Sequence, residues 1–376
     1  MKYKTIQLKE VCKVNQGLQI PISQRFTEPG PDRKFYITVQ FLKEPTARYF
    51  IEKPKDTVCC EEDDILVVRT GNTGEIVTGV KGCFHNNFFK VEPFDNISRR
   101  YLYYALNNQE MRTQMINAAS GTVVLDLKHS SFYALEIPFP PIDSQNKIAS
   151  ILSSIDLKIS NNRKINQNLQ EQAKALYSDM IVDKADGTWF PGTLSDVAIV
   201  TMGQSPKGDT YNEDGTGTVF FQGRAEFGFR FPTRRLYTTE PKRMAQSNDA
   251  LMSVRAPVGD MNVAYEDCCI GRGLSAIRSK DGHQSYVLYT MFDLSEQLDV
   301  FNGEGTVFGS INRDALNNLP ISIPPKKVMD QFEALVSPMD AAIRNNYEEI
   351  CRLESLRDSL LPRLMSGELD VSEIEI

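Results

Sequence analysis

The 376-residue chain has none of the usual signals for a membrane or for export. No apolar run approaches the roughly 20 residues needed to cross a bilayer. Runs such as 65–68 are only strand-sized. The opening stretch, Met1 to Glu10, has no apolar core of a signal peptide. Seven cysteines, an odd number in no spaced framework, fit a reducing compartment. A soluble cytoplasmic protein with no membrane partner is expected.

Catalytic and metal-binding patterns are equally scarce. There are three histidines, His85, His129 and His283, with no His-Glu-x-x-His and no Cys-x-x-Cys. The adjacent pairs Cys59-Cys60 and Cys268-Cys269 have poor spacing for zinc, so no metal site is expected. No phosphate-cradling Gly-x-x-x-x-Gly-Lys-Ser/Thr loop occurs. Phe301-Asn-Gly-Glu-Gly305 has the look of a methyl-donor loop, but no Asp/Asn-Pro-Pro-Tyr/Phe segment accompanies it to hold a target base. Asp126-Leu-Lys128 lacks a Pro-Asp partner at nuclease spacing. No catalytic residue is assigned.

What is present is a repeat. The segment from Ser120 to Pro141 lies over that from Glu304 to Pro325 without a gap, at an offset of 184 residues. Upstream the offset becomes 186, matching Leu8 with Leu194, Gly17 with Gly203, Val68-Arg69 with Val254-Arg255 and Cys83 with Cys269. Each copy has two textures. Its first ~140 residues are rich in turn formers with short β-branched and aromatic runs, which read as strands. Arg100 to Ala119 and Ser285 to Asn302 read as helices. A mixed α+β (α/β) globule follows.

The second texture starts after Pro140-Pro141 and Pro324-Pro325. It is apolar at alternating steps of four and three: Ile148, Leu152, Ile155, Ile159, Asn162, Asn166, Leu169 and Ala173 in one copy, and Phe332, Val336, Met339, Ile343, Asn346, Ile350 and Leu353 in the other. This is a heptad seam. Asn162 and Asn346 occupy corresponding core positions, where an Asn fixes helix register if it meets another polar group. The pattern predicts a helix over roughly 144–182, about 57 Å long, pairing antiparallel with the second about a pseudo-twofold axis. In that arrangement Asn162 and Asn346 meet, and the rods space two similar heads. Each helix packing on its own globule remains the alternative. The boundaries are 1–141 for the first head, 142–183 for the central helix, 184–325 for the second head and 326–376 for the distal helix and tail.

The net charge of −7 argues against a nucleic-acid partner until it is divided. The first head carries 18 basic against 16 acidic residues, the second 13 against 17, and the distal segment 6 against 11. Each head nevertheless has a basic stretch interleaved with aromatics, Arg33 to Lys55 and Val219 to Arg243. Basic residues beside Gln suit a surface that holds phosphates and reads base edges. The candidate DNA contacts are Arg33, Lys34, Gln40, Lys43, Arg48 and Arg69 in the first head, and Gln222, Arg224, Arg230, Arg234, Arg235 and Arg255 in the second. Arg69 and Arg255 enter as strand-end arginines at matching positions. Each patch also reads as a solvated face, and either strand-end arginine as the partner of a carboxylate.

Two related heads, two long helices and no catalytic set resemble the specificity (S) subunit of type I restriction–modification systems. The resemblance is carried by Pro140 to Asp156 and Pro324 to Asp340, by the ending Leu360 to Leu369, by the openings Leu8 to Gly17 and Leu194 to Gly203, and by Gly-Thr at 121–122 and 305–306. Pro338, inside the second helix, departs from it and predicts a kink or a delayed start. The resemblance implies two tandem target-recognition domains, each reading half of a bipartite, asymmetric double-stranded DNA site. It also implies that the helices bind two methyltransferase (modification) subunits, joined by motor-nuclease subunits. S-adenosylmethionine, ATP and Mg would then sit on those partners, with no cofactor on this chain. A self-sufficient DNA adenine methyltransferase and a coiled-coil protein scaffold are the alternatives.

Overall fold

The structure, a computed structural model, describes residues 3–121, 124–185, 189–303 and 309–374. It divides into two compact units. Unit 1 joins Met1–Ser160 with Glu349–Ile376, and unit 2 is Asn161–Glu348, so each unit holds a head and a stretch of both long helices. Thr122, Gly305 and Thr306 of the repeated Gly-Thr pair lie outside the described residues, as does Glu304. Among the described residues no helix is long and apolar enough to cross a membrane.

Among the described residues the head of unit 1 has ten strands: β1 (Thr5–Gln7), β2 (Cys12–Gln16), β3 (Arg33–Ile37), β4 (Tyr49–Glu52), β5 (Cys59–Cys60), β6 (Ile65–Val68), β7 (Ile76–Val77), β8 (Gly82–Phe84), β9 (Phe88–Pro93) and β10 (Glu136–Pro138). They form sheets of order β2-β9-β6-β7 and β4-β3-β8-β5 and a β1-β10 pair. The head of unit 2 continues with β11 (Phe190–Thr193), β12 (Ala198–Met202), β13 (Tyr211–Asn212), β14 (Thr218–Phe221), β15 (Leu236–Thr238), β16 (Met244–Ala245), β17 (Ala250–Ser253), β18 (Met261–Val263), β19 (Cys268–Ile270), β20 (Leu274–Ser279) and β21 (Pro320–Ile323). The orders β12-β20-β17-β18, β13-β15-β14-β19-β16 and β11-β21 repeat those of unit 1 with one added edge strand. Even the parallel strand pair recurs, β3 with β8 and β14 with β19. All four residues of β6 and of β17 are buried, which is why neither run shows the in-out alternation of a half-exposed strand.

Strand register corrects one sequence match. Val68 faces Phe88 and Ser253 faces Leu274, so Arg69 corresponds to Val254, and Arg255 to Thr70. A slip of one residue sends a side chain to the opposite face of a strand. Accordingly Val254 is 3% exposed in the core while Arg255 faces solvent. Arg69 and Arg255 are not counterparts. The helix expected at 100–119 is also divided, into Arg99–Leu106 and Gln109–Ala118. Its second half restarts where the Asn108 side chain accepts a 2.9 Å hydrogen bond from the Met111 amide.

The central helix runs Ile142–Tyr177 and ends in a π-helical turn, Ser178–Val182. The distal helix runs Lys326–Ser366 without interruption through Pro338 and Pro362. Each proline gives up one backbone N–H but does not end the helix, which is held by its packed face. In unit 1, Arg357 bonds Asp156 at 3.0 Å and Lys158 pairs with Glu349 at 3.6 Å, while Ile155 and Ile159 pack on Ile350. One helix number rises as the other falls, so the strands of the pair are antiparallel there. The same holds in unit 2, where Asn166 donates to the Ile343 carbonyl at 3.2 Å and Asn346 donates to Asn166 at 2.8 Å, while Tyr177, farther along the central helix, packs on Phe332. The bond donated by Asn346 thus goes to Asn166, one turn beyond Asn162, which is itself buried in the seam.

Asp156 and Asp340, which end the two repeated Pro-Pro segments, tie the helices to the heads. Asp156 accepts from the Tyr104 hydroxyl at 2.6 Å and from Arg357. Asp340 accepts from the Tyr289 hydroxyl at 3.0 Å and from Arg230, which also donates to Gln170 at 3.2 Å. Burial and the adjacent carboxylate both hold the Tyr104 hydroxyl protonated well above its ordinary range. Asp340→Ala is expected to lower the stability of the protein strongly, by about 3–5 kcal/mol, because it strands the buried Arg230 charge. Asp156→Ala should cost about 1 kcal/mol, since Arg357 is partly solvated. Denaturant unfolding of both variants checks the order.

Candidate nucleic-acid interface

In each head, the loops at one end of the two main sheets converge on the turn between a buried strand pair. In unit 1 this is the His85-Asn86-Asn87 turn between β8 and β9, and in unit 2 the Gly271-Arg272-Gly273 turn between β19 and β20. The segment after β2 runs against the first turn, with Gly17 N–H donating to Phe88 O at 3.1 Å and Leu18 N–H to Phe84 O at 3.0 Å. The segment after β12 repeats this, Gly203 to Leu274 O and Gln204 to Ile270 O, both at 2.9 Å. The approach is possible only without a side chain. A Cβ at Gly17 would lie 2.2 Å from His85 O, and one at Gly203 would lie 2.1 Å from Gly271 O. The repeated glycine of the sequence is therefore a packing requirement of the loop cluster.

The two clusters differ in chemistry. Around the unit 1 turn are amides: Asn86 Nδ2 donates to Gln19 Oε1 at 3.0 Å, and Gln16 Nε2 donates to the Asn86 carbonyl at 2.5 Å. Arg69 is closed off beneath them by two bonds to Asp126, 2.8 and 2.7 Å, and one to Gln16, 2.9 Å. In unit 2 Val254, Ser310 and Met202 stand in the places of Arg69, Asp126 and Gln16, so an apolar contact replaces a polar clamp. Arg255 and Arg272 point outward, and neither side chain has a hydrogen bond or ion pair with any described residue.

The remaining candidates separate by what already holds them. Arg33 lies over the Phe26 ring and 3.5 Å from Glu52, and Lys34 is 3.4 Å from Asp56. Gln40, Lys43 and Arg48 are exposed on the segment after β3, and among described residues neither Lys43 nor Arg48 has a carboxylate partner. In unit 2, Gln222 is exposed, but Arg224 pairs with Asp260, Arg234 with Glu266 at 2.5 Å, and Arg235 with Glu226 at 2.6 Å and Glu213 at 3.3 Å. Arg230 is a correction. It is 3% exposed, bound to Asp340 and stacked near Tyr289 and Phe292, so it is an internal anchor and cannot reach DNA. Of the aromatics beside it in sequence, Phe231 is buried in the core of unit 2 while Phe229 is exposed. Arg272 was missed by the sequence reading, although its flanking glycines are the signal of a tight, presented turn.

Four of the seven cysteines are buried in settings that keep them unreactive. Burial pushes the Cys12, Cys60, Cys83 and Cys268 thiols up to about 12. Among the described residues no group of three or more His, Cys, Asp and Glu side chains could hold a metal ion.

The family model for the type I restriction modification DNA specificity domain matches this chain twice, over residues 1–171 and 187–350. The chain belongs to that family. Within it, the MjaX specificity subunit of Methanocaldococcus jannaschii is 29% identical over 301 residues, covering 75% of this chain and 69% of the relative. The MjaIX type I restriction enzyme specificity subunit of the same organism is 25% identical over 370 residues, covering 90% and 82%. The S subunit of a type I restriction–modification system from M. genitalium has the same fold, with a TM-score of 0.61 at 16% identity over 99% of this chain and 97% of that one. The duplicated specificity domain accounts for the repeated strand order of the two heads.

Gly17→Ala and Gly203→Ala are each expected to lower the melting temperature by several degrees, through overpacking of ~1–3 kcal/mol. Gly208→Ala, whose Cβ would meet nothing within 4 Å, should leave it unchanged. Thermal unfolding of the three variants decides.

Proposed function

We propose that this chain is the DNA-sequence-specificity subunit of a type I restriction–modification complex. Each head reads one half of a bipartite, asymmetric double-stranded DNA site. The observation that carries the reading is a specificity domain present twice with one strand order and two different sets of side chains at the loop cluster. Identical heads would read a palindrome; amides in one and guanidiniums in the other read unlike half-sites.

The chain has no catalytic role in this reading. The exposed faces of its long helices dock two methyltransferase subunits, and motor-nuclease subunits complete the assembly. S-adenosylmethionine, ATP and Mg are bound by those partners and not by this chain, and the complex works in the cytoplasm. The acidic balance is compatible with DNA binding because partner subunits supply much of the phosphate clamp. Within the chain, carboxylates already neutralise most arginines of the second basic stretch, so that stretch adds little to non-specific attraction. Lys43 and Arg48 are better placed to meet phosphates.

The test is a binding selection from randomised duplexes by the chain assembled with its modification subunits. Enrichment of one two-part sequence is expected, and enrichment of no sequence would contradict the reading. Replacing Lys43 and Arg48 together with Ala should weaken binding to all sequences and reduce the slope of log K against log salt by about 2. Arg235→Ala, whose charge Glu226 and Glu213 already offset, should change that slope little.

A further inference from the structure

We propose that Arg255 and Arg272 read guanine in the half-site served by the second head. This rests on the reading of the chain as a DNA-specificity subunit and names the bases that one head selects.

The two arginines share one continuous edge. Val254 N–H donates to the Gly273 carbonyl at 2.9 Å, and Gly273 N–H donates to the Gln222 carbonyl at 3.2 Å. That chain of backbone bonds sets Arg255, Arg272 and Gln222 on adjacent segments. Arg272 is raised on a turn whose flanks have no room for side chains: a Cβ at Gly271 would lie 2.8 Å from Gln222 Cα, and one at Gly273 would lie 2.8 Å from Gln222 O. On its other side the Arg272 amide donates to Ser205 Oγ at 3.2 Å. The backbone is thus fixed while neither guanidinium is engaged by any described residue.

The contrast with their neighbours gives the chemistry. Arg224, Arg234 and Arg235 spend their donors on Asp260, Glu266 and Glu226. Arg255 and Arg272 spend none of theirs on any described residue. A guanidinium with its donor fork free matches the O6 and N7 acceptors of guanine in the major groove, while amides suit adenine. The corresponding edge of the first head carries Thr70 and Asn86 in place of Arg255 and Arg272, so the two heads should differ in guanine preference. Position 310 offers a second lever. Ser310 faces Arg255 across an antiparallel bridge, as Asp126 faces Thr70 in the first head, where it accepts the Thr70 hydroxyl at 3.2 Å. Ser310→Asp would therefore tie Arg255 to a carboxylate without removing it.

The experiment repeats the binding selection on the assembled complex with Arg255→Ala, Arg272→Ala and Ser310→Asp. Both arginines are exposed, so the variants should keep the wild-type unfolding midpoint. Each arginine variant is expected to lose ~5- to 100-fold of discrimination for guanine at one or two positions of a single half-site. The other half-site should be untouched, and Ser310→Asp should reproduce Arg255→Ala. Unchanged preferences in both arginine variants overturn the inference. So does uniform weakening on all sequences with a salt slope smaller by about 1, which marks phosphate contacts. Those two results leave the specificity-subunit reading standing, whereas a wild-type complex without sequence preference removes both.

Discussion

One carboxylate on each long helix does what no apolar seam could do alone. Asp156 and Asp340 each receive a tyrosine hydroxyl from a head and an arginine guanidinium. In unit 1 the arginine is Arg357 of the distal helix; in unit 2 it is Arg230, from a loop of the head. Apolar helix faces pack tolerantly and slide, but a half-buried ion with two specific donors is satisfied in only one arrangement. The tyrosine–aspartate pair recurs at the same place in both copies although the arginine does not. The duplicated gene product thus keeps one joint between head and helix and closes it by two different routes.

That joint also explains how the basic residues are divided. Arginine serves this protein in two roles that the composition cannot separate. Where a carboxylate lies within reach, as for Arg69, Arg224, Arg230, Arg234 and Arg235, the guanidinium links pieces of its own unit. Where glycine-rich turns lift it clear, as for Arg272, it stays available. A head can change what it binds by exchanging a few side chains at the loop cluster without touching the sheets. Unit 2 differs from unit 1 at that cluster, with Val254, Ser310 and Met202 in the places of Arg69, Asp126 and Gln16.

Much of the architecture was legible in the sequence because it is written in periodicity and duplication. The steps of four and three placed both long helices, and the Pro-Pro segments placed their starts within a few residues. Ile148, Leu152, Phe332, Val336 and Ile343 are all buried as the seam requires. The proline at 338 does not end its helix, because the packed face on either side outweighs one lost backbone bond. Register was not legible. A match of Val-Arg with Val-Arg looked sound at an offset of 186, yet strand pairing sets 185 and sends the two arginines to different faces. The candidate site was legible only as a neighbourhood. Arg230 sits in a stretch of basic and aromatic residues like the others, and only its distance from Asp340, 110 residues away in sequence, makes it internal.

The central claim is that two dissimilar heads on one chain each select their own bases. Mapping methylated bases in the DNA of a cell that expresses this chain with its modification partner tests it most directly. The account predicts methylation within one recurring sequence made of two unlike specified parts separated by unspecified bases. Methylation of a single uninterrupted motif, or of a palindrome, would contradict it.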